Sequence, residues 1–177
     1  MRRLPSSRDA RGVGNEFLLS CDLRCMVGSP GVLLSQLDNG LGAGGSIYLS
    51  HLIGRGRAFE YLLFCADVDA RPAERVGWAN RAFRTRPSCT RTCNNLQNAL
   101  RCLFPAAGIV KTKQGINATS RSPTKVIIED AQDVIVCLVS APEGQAIAEK
   151  FIKATNNQSS VPLELNYGEE IVNFYKN

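Results

Sequence analysis

The sequence predicts an α/β protein with a few short strands early and a helical second half. Three observations carry this. Short apolar pieces bounded by glycines and polar turns occur only before about residue 84. Apolar residues recur at helical spacing from Ile127 onward, and helix-starting and helix-stopping residues bracket most segments after Ser46.

Taken in order, Gly12-Val-Gly-Asn-Glu16 leads into FLLSC, which reads as a turn feeding a helix of about two turns that Asp22 ends. Strand-like pieces follow near Leu23–Val27 and Val32–Ser35, and then a glycine-rich turn from Asn39 to Gly45. Ser46 is expected to cap a helix that Gly54 stops, and Arg57–Phe64 is expected to form the next helix. Asp69 is expected to cap ARPAERV, with Gly77 as its stop, and Trp78–Ala82 reads as extended. Residues 86–104 are ambiguous, because Pro87, polar residues and two cysteines weaken a helical pattern. Pro105 precedes a helix interrupted at Gly115. Ser122-Pro123 opens a further helix, with Ile127, Ala131, Val134, Ile135 and Leu138 on one face. Ser140-Ala-Pro-Glu143 reads as a capping box that starts a last helix ending near Thr155.

Composition narrows the function classes. The 177 residues suit one domain with a real core. No run of about 18 apolar residues predicts a membrane span, and no apolar segment follows the N-terminal arginines as a secretory signal requires. Seven cysteines, an odd number, with no such signal argue for free thiols in a reducing compartment. An intracellular, soluble protein is expected, cytoplasmic first, with mitochondrial or peroxisomal placement left open. His51 is the single histidine, and Cys89 and Cys93 are separated by three residues rather than two, so neither a zinc site nor a His-based triad is expected. Net charge is +5, with seven arginines against Glu74 in residues 71–101. Without interleaved aromatics or an RNA-binding motif, that stretch reads as a solvated face and no nucleic-acid partner is expected. Gly40-Leu-Gly42-Ala-Gly-Gly45 satisfies G-x-G-x-x-G, but polar Gln36–Asn39 precedes it where a dinucleotide site needs a buried strand.

The residues around Glu16 carry the sharper signal. Glycines ahead of a helix place backbone N–H groups at its positive end, where they stabilise a developing oxyanion. Glu16 follows within the first turn, and a second acid, Asp38, comes 22 residues later. One carboxyl group to donate a proton and one to accept it is what hydration of a double bond needs.

RGVGNEFLLSCDLR resembles the second oxyanion segment of the crotonase (enoyl-CoA hydratase/isomerase) family, which is typically glycine-rich, then Glu-Leu or Glu-Phe, then Cys-Asp. SQLDNGLGAGGS is similar to the family's next segment, YLSHLIGRGRAFEYLL to its following helices, and VDARPAERVGWANRAF to the Trp/Leu-Val-Asn segment after them. SAPEGQAIAEKFIKATNN and ELNYGEE resemble the C-terminal region of one bacterial and fungal branch. The resemblance runs from about Arg8 to Asn177 and is poorest over residues 85–104.

It implies a partial crotonase-type (ClpP/crotonase) spiral fold without its N-terminal strands. Residues 1–7 would be an unmatched stub, 8–84 the C-terminal part of the core, and 85–177 a helical region. Glu16 falls on the first catalytic glutamate and Asp38 on the second. Val13 falls on the residue whose backbone N–H forms half of the oxyanion hole. Two departures weaken the pattern: a valine where glycine or alanine is usual, and an aspartate one methylene short of glutamate. The resemblance implies an acyl-CoA thioester substrate and no separate cofactor, coenzyme A being part of the substrate. It also implies a homo-oligomer, trimer or hexamer, built on helices such as those of residues 123–155, or assembly with a full-length paralogue. Family chemistry is expected in a full-length version and negligible hydration from these 177 residues alone. The rival expectation is a catalytically inactive truncated remnant or assembly partner.

Overall fold

The computed structural model describes residues 10–28, 33–35, 44–63 and 68–155. Its strands are short and early. β1 (Ala10–Arg11), β2 (Cys25–Val27), β3 (Leu33–Ser35), β4 (Val68–Asp69) and β5 (Arg81–Phe83) form two small sheets. In one, β1 runs parallel to β3, and β3 antiparallel to β4 through Leu33 opposite Asp69 and Leu34 opposite Val68. In the other, β2 runs parallel to β5 with Cys25 opposite Arg81 and Val27 opposite Phe83. A parallel pair needs a crossover connection, and the elements between β2 and β5 supply it. They are α2 (Gly45–Ile53), α3 (Arg55–Leu63) and α4 (Ala70–Val76), with α1 (Val13–Leu19) ahead of β2.

The core lies wholly in this first part. Leu19, Met26, Leu49, Ile53, Ala58, Val68, Ala70, Ala73, Trp78 and Ala79 are buried together. Leu49 and Ile53 are four residues apart on α2, and Ala70 and Ala73 three apart on α4, so each helix turns one stripe inward. After Ala79 no residue whose burial is described is buried. The remaining helices, α5 (Arg86–Leu103), α6 (Ala106–Ser120), α7 (Thr124–Val139) and α8 (Pro142–Thr155), form an arm outside the core.

Several sequence expectations shift. Residues 86–104 are not irregular but an 18-residue helix, because the Thr85 side chain caps the Ser88 N–H and Pro87 sits in the first turn, where its missing N–H costs nothing. α6 runs through Gly115 without interruption. Ser46 does not cap α2; the helix starts one residue earlier, Gly44 stands at the cap position, and the Ser46 hydroxyl turns to Asp130 on α7 at 3.1 Å. Gly44 has φ +86, and a Cβ there would lie 2.6 Å from the Ile127 side chain, so only glycine lets α7 approach. The extended piece is Arg81–Phe83 rather than Trp78–Ala82, since Trp78 and Ala79 turn into the core instead. The last helix starts at Pro142, two residues beyond Ser140, which closes α7.

Candidate active site

α1 begins at the glycines that precede the acid. The amide N–H groups of Asn15 and Glu16 both donate to the Gly12 carbonyl, at 3.0 and 3.1 Å, which closes the first turn. Val13 and Gly14 therefore occupy the first two helical positions, where N–H groups have no intrahelical acceptor and point out of the positive end. Glu16 stands half-buried in the same turn. Val13 and Glu16 thus share one helical turn. Asp38 lies outside the described residues.

A buried polar network that the sequence did not disclose holds this turn. Asn15 and Trp78 are both fully buried, and the Trp78 indole N–H donates to Asn15 Oδ1 at 3.1 Å. Because the indole is only a donor, it fixes which end of the amide faces it. Asn15 Nδ2 is then left as a buried donor with no acceptor among the described residues. Trp78 also meets the Tyr61 ring edge-on at 5.5 Å between centroids.

On its other side the Trp78 carbonyl accepts from Arg24 Nε at 2.7 Å, and Arg24 Nη1 donates to the Cys21 carbonyl at 2.8 Å. The Arg24 backbone exchanges bonds with Asn80: its N–H donates to Asn80 Oδ1 and its carbonyl accepts the Asn80 N–H, both at 2.8 Å. Desolvation lowers the Arg24 pKa, with the nearby Cys21 thiol opposing. The turn after α4 is in this way bonded to both ends of the segment that carries Glu16. The only hints in the sequence were a lone tryptophan just past a helix-stopping glycine and an asparagine beside the acid.

A separate cleft of about 740 Å³ opens between the C-terminal end of α1, α2 and α6. Leu19, Tyr48, Leu52, Phe104, Ile109 and Ile116 are among its walls. It does not include Glu16 and lies off the opposite end of α1 from Val13. Size alone favours this cleft, but the candidate site belongs with the acid and the outward N–H groups, which offer the means of polarising a carbonyl.

Comparisons with known proteins bear on this arrangement. No protein-family model matches the chain. It is 39% identical over 72 residues to an assigned enoyl-CoA hydratase/isomerase of Bacillus subtilis, a stretch covering 38% of this chain and 27% of that protein. It is 32% identical over 113 residues to the short-chain-enoyl-CoA hydratase of Clostridium acetobutylicum, covering 61% of this chain and 41% of that one. Among solved structures, a protein of Streptomyces avermitilis assigned as an enoyl-CoA hydratase superposes with a TM-score of 0.80 at 33% identity. That superposition covers 93% of this chain and 59% of the other. The chain therefore spans about three fifths of that structure, and the matched stretches span 27% and 41% of the curated relatives.

Proposed function

We propose that this chain, a relative of the enoyl-CoA hydratase/isomerase (crotonase) family that carries part of its fold, acts on acyl-CoA thioesters. The observation that carries the reading is the turn joining Val13 and Glu16: outward N–H groups and a half-buried acid on one helical turn. The N–H of Val13 polarises the thioester carbonyl, so that negative charge arriving on its oxygen is stabilised. Glu16 and Asp38 manage the protons: one carboxylate takes a proton from water as its oxygen bonds the β-carbon, and the other carboxyl group gives a proton to the α-carbon. With no water added, the same pair moves a proton between carbons, which is the isomerase reaction. No separate cofactor enters, and the acting form is an oligomer of this chain or an assembly with a longer relative.

Asp38 reaches one methylene less far than a glutamate, and a misplacement of about 1 Å costs on the order of 100-fold in rate. This shortening, with the valine at position 13, is what favours the second reading, a non-catalytic partner. The test is loss of the enoyl-thioester absorbance of crotonyl-CoA with purified protein. Expected is turnover far below that of an ordinary hydratase, lost in Glu16→Gln and raised in Asp38→Glu. Ordinary turnover that Glu16→Gln abolishes would mean the two departures carry no cost. Turnover indifferent to Glu16→Gln removes Glu16 from the mechanism, and none in either the natural chain or Asp38→Glu leaves the non-catalytic reading standing.

A further inference from the structure

Away from the candidate active site, three thiols from two elements meet. Cys25 lies on β2, and Cys89 and Cys93 stand one turn apart on α5, which packs on β2 and β5. The Cys93 thiol lies near enough to both Cys25 and Cys89 to perturb their ionisation. All three are half-buried free thiols. Among the described residues no group of three or more His, Cys, Asp or Glu is arranged to hold a metal ion.

We propose that Cys25 and Cys93 form a modification site, a reversible disulfide that ties the helical arm to the sheet. The pairing follows from helix geometry. Cys89 and Cys93 sit at i and i+4, with Cβ atoms about 5–6 Å apart, whereas a disulfide needs about 3.5–4.5 Å. A bridge within α5 would unwind a turn, whereas Cys25 comes from another element, β2, on which α5 packs. With a small-molecule disulfide such as oxidised glutathione as oxidant, one protein thiolate attacks it and releases a glutathione thiol. The second protein thiolate then attacks the mixed disulfide and releases the other. Two protein thiols are oxidised, one disulfide is reduced to two thiols, and the two protein protons end on glutathione.

The surroundings set how this bond behaves. Burial, and then the Cys93 thiol, pushes Cys25 up to about 12, with the Arg81 charge opposing; burial and Cys93 likewise push Cys89 up to about 11. Thiols so held form the bridge slowly at neutral pH. Strongly basic thiolates are also poor leaving groups, so the bridge resists reduction once made. Its consequence falls on the arm. α5 is where the arm meets the sheet. The proposal is independent of the catalytic reading.

The test incubates the reduced 177-residue chain with oxidised glutathione at about pH 8.5, near the ordinary thiol pKa. Remaining thiols are then blocked and the peptides mapped. Expected is the Cys25 peptide joined to the Cys93 peptide with loss of two hydrogens, absent in Cys93→Ser and in Cys93→Ala but kept in Cys89→Ser. Exposed Cys102 reports ordinary reactivity through its glutathione adduct. Trypsin cleavage within α5 slows several-fold on oxidation and recovers with dithiothreitol. Glutathione adducts at Cys25 or Cys93 without a cross-link overturn the proposal. So does a bridge to Cys89 in place of Cys93, or Cys102 modified while both cluster thiols stay free.

Discussion

Asn15 accepts the Trp78 indole N–H on its carbonyl oxygen and keeps an amide nitrogen with no acceptor among the described residues, a buried donor in the turn that bears Glu16. An unmet buried donor costs about 1–3 kcal/mol, so the one bond this amide makes matters to the fold. Trp78→Phe removes the indole donor, leaves the whole Asn15 amide unpaired and loses the edge contact to Tyr61. We expect a loss of about 2–4 kcal/mol in urea unfolding followed by circular dichroism. Replacing both partners is predicted to cost less than the sum of the single changes, because Asn15→Leu removes the group that Trp78→Phe strands. Strict additivity in that double-mutant cycle would show that the hydrogen bond contributes nothing. At this scale the sequence singled out Glu16 as a candidate and was silent on the network beside it: the two partners stand 63 positions apart, and no local spacing joins them.

Helix boundaries were legible where the backbone itself enforces them. Gly77 stops α4 with φ +88, a left-handed conformation that costs a side chain, and a Cβ there would stand 3.3 Å from the Leu52 carbonyl oxygen. Gly77→Ala is expected to lower stability by about 1–2 kcal/mol, read as a drop in thermal midpoint. Boundaries set by tertiary contact were not legible. Ser46 has the chemistry of a cap, but Asp130 on α7 claims its hydroxyl, and α5 forms despite poor helix composition because Thr85 caps it and β2 and β5 receive one face. That packing has a pH signature. In the folded chain Cys25 and Cys89 hold their protons to about 12 and 11, while an unfolded thiol releases its own near 9.0. Above that value the unfolded state binds fewer protons, so stability must fall. It is fully present below about pH 8.5 and is lost progressively as pH climbs toward the folded values. Urea midpoints taken across this range under reducing conditions should decline, and Cys25→Ala with Cys89→Ala should flatten the slope. An unchanged slope in the double variant would assign the decline to other groups.

At the scale of the molecule, the ordered motifs from Gly12 to Phe83 made the fold readable, because each is tied to a turn or cap that the spiral core needs, and the superposition on the Streptomyces avermitilis structure agrees. The behaviour of the arm was less readable, since a helical stripe tells that a face is apolar but not what covers it. On α7 the stripe residues Ile127, Ala131 and Val134 are half-buried, while apolar side chains off it or on the neighbouring helices stay open: Ile116 is 59% exposed, Val136 62% and Ile152 61%. Side chains of this size are each worth about 1.5–3 kcal/mol when buried, and such residues stand open on α6, α7 and α8 alike. Solvent-facing ion pairs such as Lys125–Glu129 and Lys153–Glu149 flank the stripes but, at such exposure, contribute little. The chain is therefore predicted to self-associate through α6, α7 and α8. Sedimentation velocity at micromolar concentration should show trimers or larger species, and Val136→Glu with Ile152→Glu should shift the distribution toward smaller ones. A clean monomer in the unaltered chain would contradict this, as would larger species that the paired glutamates leave untouched.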